Sequence, residues 1–229
     1  MPTNLASTVV TLGLAFLSAT CVAASTRQYS ADAIAARVVD ADSGAPVHGV
    51  NVVAGWEVKG GMEGGNIVGW VKVMETVTDD AGKLSFPAWG PITWTKGGAI
   101  HSGSPLLIFF KSGYGRLILA QRSRSLIENA PSHMRSDWNG KAIKLTKFSG
   151  PLKDYVSNVG YLSISVDSLL SNDECNWRAI PRFLWSLQLE DERFVRSGLP
   201  RYFGSLEHLT LRYGRNCGDL KQYVEERGR

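Results

Sequence analysis

The chain has 229 residues, of which 44% are hydrophobic and 20% charged, with a net charge of +4 at neutral pH. A typical domain takes ~100 to 200 residues, so this length predicts one main domain with an appendage, and the composition excludes a disordered chain. All of the excess charge lies in residues 25–150, with 14 basic and 10 acidic side chains, while residues 151–229 carry 11 of each. The basic residues are scattered, and the group Arg116, Arg122 and Arg124 in RLILAQRSRS is too small for the phosphate-tracking stripe of a nucleic-acid binder.

Residues 1–24 read as a signal peptide. They contain no Asp, Glu, Lys or Arg, and an apolar run from Val9 to Leu17 precedes small residues, with Val22 and Ala24 placed for cleavage after Ala24. The run is shorter than the ~20 residues that cross a bilayer, and nothing later is long and apolar enough to do so. The pattern therefore predicts a periplasmic or secreted chain with no transmembrane segment after cleavage. A lipid anchor on Cys21 is the competing reading, with Ser18, Ala19 and Thr20 a poor fit before an acylated cysteine. Cleavage leaves Cys175 and Cys217, which in an exported protein most simply pair, closing a loop that stabilises the fold by ~4 kcal/mol in the chain-entropy picture. Two buried free thiols are the alternative.

From Ala33 to Phe148 the sequence alternates β-branched and aromatic runs with Gly, Pro, Asp and Asn clusters, which predicts a mainly β domain, a seven-stranded sandwich over residues 25–150. In chain order the strands are AIAARVVD, GVNVVAGWEV, IVGWVKVMETVT, KLSFPAW, PLLIFFKSG, RLILAQRS and KAIKLTKF. In the last, Ile143 and Leu145 share one face and should point inward, whereas the unbroken apolar run LLIFF predicts a central strand. After Gly150 the texture becomes helical. Pro151 suits a first turn, Ile180, Leu184 and Leu187 recur at helical spacing, and Asp219 caps a final helix whose Leu220, Tyr223 and Val224 form a stripe. Residues 151–229 thus predict a helical extension packed on the sandwich.

Two segments carry a family resemblance. ARVVDADSGAPVHGVNVVA (36–54), with Asp40, Gly44, Pro46 and Gly49 to Val53 in the turn-and-return pattern, resembles the opening of a carboxypeptidase regulatory-like domain, and TVTDDAGKLSFP (76–87) resembles its third and fourth strands. The longer pattern through FPAWGP is similar to exported proteobacterial proteins. The resemblance spans residues 33–148 and implies a transthyretin-like β-sandwich; fold does not by itself give function. The same opening resembles the transthyretin-like hydrolases of hydroxyisourate, which carry a histidine at the place of Arg37 and end in Tyr-Arg-Gly-Ser. This chain has neither, and a guanidinium stays protonated at neutral pH, so it cannot serve as a base.

The side chains that carry chemistry are sparse. His48, His101, His133 and His208 show no ligand spacing, no Gly-x-Ser-x-Gly elbow supports a Ser-His-Asp site, and no cofactor or metal is implied. DADSG (40–44) and TDDAG (78–82) read as tight turns rather than calcium loops. KGGMEGGN (59–66) is followed by a strand, where a phosphate cradle needs a helix. Trp56, Trp70, Trp89 and Trp94 leave two readings open: a buried plug in which PAWGP fastens the sandwich to the segment after it, or an exposed stacking platform for a sugar or peptide. The sequence predicts an exported, non-catalytic structural or interaction module whose partner is an envelope protein or a glycan. A carbohydrate-binding module is the alternative and a degenerate hydrolase the remote one.

Overall fold

The computed structural model describes residues 26–60, 65–121, 132–171, 175–214 and 217–229. The leader with Cys21, the centre of the glycine-rich loop, and Arg122 with Arg124 lie outside them.

Among the described residues there are eleven strands rather than seven, in three sheets. β1 (Arg27–Ala31) is flanked by β6 (Trp89–Trp94) and β10 (His133–Met134). β2 (Ile34–Asp40) is flanked by β5 (Lys83–Phe86) and β11 (Ala142–Leu145). The third sheet runs β4 (Asn66–Val77), β3 (Asn51–Gly60), β8 (Leu106–Phe110) and β9 (Leu117–Leu119), with β7 (Ala99–Ile100) beside β3. The expected strand KLSFPAW is two strands, because Pro87 has no N–H to continue a ladder and the chain changes sheet there. Four helices follow: α1 (Leu152–Ser171), α2 (Pro181–Arg196), α3 (Leu206–Tyr213) and α4 (Leu220–Arg227).

The third sheet is buried on both faces, which explains why LLIFF is apolar throughout. Side chains alternate along a strand. Val52, Ala54, Trp56 and Val58 of β3, with Leu107 and Phe109 of β8, therefore meet Ile34, Val38, Leu84, Phe86, Ile143 and Leu145 from the second sheet and Tyr29, Trp89 and Met134 from the first. Val53, Val73, Ile108 and Phe110 point the other way and meet Val166, Leu169, Phe183, Leu184 and Leu187 of the helices. The layers are sheet, sheet and helix.

Polar contacts fix the helical layer at defined points. The N-terminus of α2 has no side-chain cap of its own; instead Glu75 of β4 accepts from the amides of Arg182 and Phe183 at 3.1 and 3.0 Å. Burial pushes the Glu75 carboxyl up in pKa, and those two amides oppose the shift. Asn51 Nδ2 donates to Ser186 Oγ at 2.9 Å. Cys175 and Cys217 form a disulfide across 42 residues, joining the turn before α2 to the turn before α4. At α4 Asp219 accepts from the amide of Gln222 at 3.0 Å, as the capping pattern predicts.

Both acidic turns hold their own backbone. Asp40 Oδ1 accepts from the Ser43 amide at 2.9 Å and the Ser43 hydroxyl at 2.8 Å, and Asp79 Oδ1 accepts from the amides of Ala81 and Lys83. The Ser43 bonds, chiefly, bring the Asp40 pKa from 3.8 down to about 2, aided by Lys147. A carboxylate whose folded pKa is depressed stabilises above its unfolded pKa and loses that stability as pH falls through the folded value. Asp40→Asn should therefore flatten the acid limb of the stability curve between about pH 4 and 2, as read by urea midpoints across that range.

Candidate functional site

The four tryptophans do not form an exposed platform; each is at least nine-tenths buried. Trp56 and Trp89 meet edge-on, ring centroids 5.1 Å apart, in the core between the sheets, and Trp94 lies in the same core with Nε1 donating to the Gly97 carbonyl. Trp70 lies on the opposite face, where its Nε1 donates to the Ser168 carbonyl of α1 at 3.2 Å. Gly55 makes the space for it, since a Cβ there would lie 2.8 Å from the indole ring. The physical reason for the correction is the second layer: rings at strand ends stay open only where nothing packs over them.

The aromatic, proline-bracketed tip PAWGP also has a different task from the expected one. Trp70, not Trp89, joins the sheets to the helices. Tyr29 pairs with Ile92 and Ala31 with Trp89, so Gly90 and Pro91 together face Ser30 as a β-bulge. Gly90 adopts φ +102°, and a Cβ there would lie 2.6 Å from Ser30 atoms, so only glycine fits.

Beside that bulge the register of β1 and β10 brings together three residues that the sequence analysis left apart. The Ser30 hydroxyl is 2.8 Å from His133 Nδ1, and His133 Nε2 is 2.8 Å from Asp32 Oδ1. With the proton on Nε2 donated to Asp32, Nδ1 accepts from the Ser30 hydroxyl. The ring is reversed relative to a hydrolase triad, in which serine meets Nε2 and a buried aspartate meets Nδ1. Here Asp32 is about half exposed and its second oxygen pairs with Arg135 Nε at 3.2 Å. The array fits a polar stitch holding β10 to β1. Of the other histidines, His48 lies 4.0 Å from Asp80, and His101 accepts from the Gly103 amide, burial lowering its pKa. Among the described residues no group of His, Cys, Asp and Glu is arranged to hold a metal.

Side chains able to take a ligand gather on the helical layer. Tyr161 and Ile164 of α1 are 53% and 65% exposed, and Tyr202, between α2 and α3, is 47% exposed. They border two adjoining hollows of 410 and 330 Å³ that share Ser163, Ile164 and Tyr202. The larger hollow also carries Asp167, Arg201, His208 and Arg212. Clustered exposed apolar groups mark interaction sites far more often than scattered ones do.

This groove is built from the interior outwards. Asp191 of α2 is fully buried, and its two oxygens accept from the amides of Tyr202 at 3.1 Å and Phe203 at 2.8 Å, fixing the loop before α3. Burial pushes the Asp191 carboxyl up in pKa, opposed by those amides and Arg201. The Tyr202 ring then lies against α1 at Gly160, where a Cβ would come within 2.4 Å of it. The Arg116 guanidinium sits over the Tyr161 ring at 4.2 Å, a cation–π contact that holds this ring from the sheet side. Asp167 is taken up by Arg212 at 3.0 Å and by the Tyr213 hydroxyl, leaving Arg201 and His208 as the rim groups without an ion pair among the described residues.

No protein-family model matches the chain, and no curated protein matches it. Among solved structures, a 9R-lipoxygenase from Cyanothece PCC8801 aligns with 12% identity over 72% of this chain and 26% of its own length, at a TM-score of 0.27. The chain spans about a quarter of that protein, and so slight a likeness carries no argument about fold or activity.

If Asp191 positions the groove, Asp191→Ala leaves the buried Phe203 amide and the part-buried Tyr202 amide without their acceptor and should lower unfolding stability by about 3 kcal/mol, measured in urea. A loss below about 1 kcal/mol would show that other contacts hold the loop.

Proposed function

We propose that this protein is an exported, non-catalytic interaction module: a transthyretin-like β-sandwich carrying a helical layer whose outer groove receives an apolar side chain of a partner protein in the cell envelope or outside it. The observation that carries this reading is the joint exposure of Tyr161, Ile164 and Tyr202 around hollows anchored by a buried carboxylate. Such a preorganised aromatic edge gives contact area at low entropic cost. Export is supported by the leader pattern and by the Cys175–Cys217 disulfide, which persists in oxidising compartments. Among the described residues no helix is long and apolar enough to cross a membrane.

Two observations support binding over turnover. The Ser30–His133–Asp32 array has its ring reversed and its aspartate half exposed and shared with Arg135. Arg37, at the position where the hydrolases carry histidine, donates from Nε to the Ala81 carbonyl at 2.8 Å and stays protonated. A glycan ligand is the second reading, because Tyr161 and Tyr202 supply the exposed rings that the tryptophans do not.

The test is photo-crosslinking in the native host with a probe at Ile164 and a control at Thr93 on β6, followed by mass spectrometry. The expected result is one protein enriched by the Ile164 probe alone and lost when Tyr202→Ala is added. Equal enrichment from both positions, or none from Ile164, contradicts the groove as a protein-binding site, and saturable glycan binding that Tyr202→Ala abolishes would move the assignment to carbohydrate.

A further inference from the structure

A second surface emerges from strand register on the far side of the molecule, on the outward face of the β11-β2-β5 sheet. In these strands Ile34, Ala36, Val38, Leu84, Phe86, Ile143 and Leu145 point into the core, so Ala35, Arg37, Lys83, Ser85, Ala142 and Lys144 face out. Arg37 stands directly opposite Lys83 on one side and beside Ala142 on the other. Like charges directly opposed across antiparallel strands destabilise a sheet. The outward residues of the three strands include no acid that could relieve this pair.

Lys141, just before β11, and Lys144 within it extend the positive charge. Among the described residues none of Arg37, Lys83, Lys141 or Lys144 makes an ion pair. Of the nearby acids, Asp79 accepts from the amides of Ala81 and Lys83, while the fully exposed Asp80 side chain lies 4.0 Å from His48. Arg37, Lys83 and Lys141 rim a shallow hollow of 540 Å³ whose floor includes Ala35, Gly140 and Ala142.

We propose that this hollow binds an extended acidic peptide segment of a partner protein, with a carboxylate held between Arg37 and Lys83 and small or apolar side chains against the alanine floor. An anion placed between two opposed cations turns their repulsion into a bidentate attraction. The floor favours a peptide over a glycan, because it offers apolar atoms and a single hydroxyl, Ser85, and no ring on which a sugar could stack. It favours a peptide over a lipid surface, because among the described residues the exposed large hydrophobic side chains all lie in residues 152–211 of the helical part, and none of them is on this face. This surface is separate from the helical groove, and its assignment does not depend on that of the groove.

The experiment is fluorescence anisotropy with a labelled peptide of four Ala-Glu repeats, titrated with the disulfide-bonded protein at low ionic strength. Four Ala-Lys repeats serve as the opposite-charge control. Saturable binding of the acidic peptide alone is expected, weakened at least about tenfold by Arg37→Gln with Lys83→Gln and unchanged by Lys153→Gln on α1. Both substitutions on the sheet fall on exposed side chains and relieve a repulsion, at the cost of the Arg37 bond to the Ala81 carbonyl, so the double variant should still fold, as its urea midpoint would read. Absence of binding, equal weakening by Lys153→Gln, or stronger and equally Arg37-dependent binding to phosphatidylglycerol vesicles or polygalacturonate would each overturn the proposal. Failure of the Ile164 crosslink with the peptide result intact would remove the groove and leave this site standing.

Discussion

Everything else in the structure depends on burial of the β4-β3-β8-β9 sheet on both sides. Along β3 and β8 successive side chains enter different cores, so no choice of register leaves either face fit for water. Val53, Ile108 and Phe110 would each lose about 1.5 to 3 kcal/mol of burial if the helices were absent. The helical layer is thus a wall of the core. Trp70, Glu75 and Asn51 fix it at three points along the sheet, and the disulfide ties the turn before α2 to the turn before α4.

That constraint decides where a ligand can be met. With the middle layer covered, chemistry is displaced to the outer surfaces, and the two outer layers carry different kinds of groups. The helical side presents aromatic and aliphatic side chains held by a buried carboxylate; the sheet side presents cations over alanines. One surface suits desolvation of an apolar anchor and the other charge complementarity, which steers encounter more than it adds affinity. Together they support the proposed reading of a module that engages a partner on two faces.

Much of the fold was legible in the sequence where a rule of local origin operates. Alternation in KAIKLTKF set Ile143 and Leu145 inward, the apolar run LLIFF announced an internal strand, and Asp219 marked the start of α4. The parts that were not legible have non-local causes. β10 is two residues long and exists because it pairs with β1, more than a hundred positions away. The tryptophans admitted a platform as well as a core reading, because their burial is decided by which layer lies above them. Neither candidate surface has a sequence signature: Tyr202 reaches Gly160 across 42 positions, and Arg37 meets Lys83 and Ala142 only through pairing. The scatter of basic residues along the chain concealed their convergence on one face.

Hydrogen exchange followed by mass spectrometry, in increasing sub-denaturing urea, tests most directly whether sheet and helices form one unit. If the two-sided core is the organising constraint, peptides covering β8 and α2 open with the same free energy and the same urea dependence, since exposing one exposes the other. Exchange of α2 at a free energy about 3 kcal/mol or more below that of β8, with the strand still protected, would show that the helices are a dispensable layer and would contradict this account.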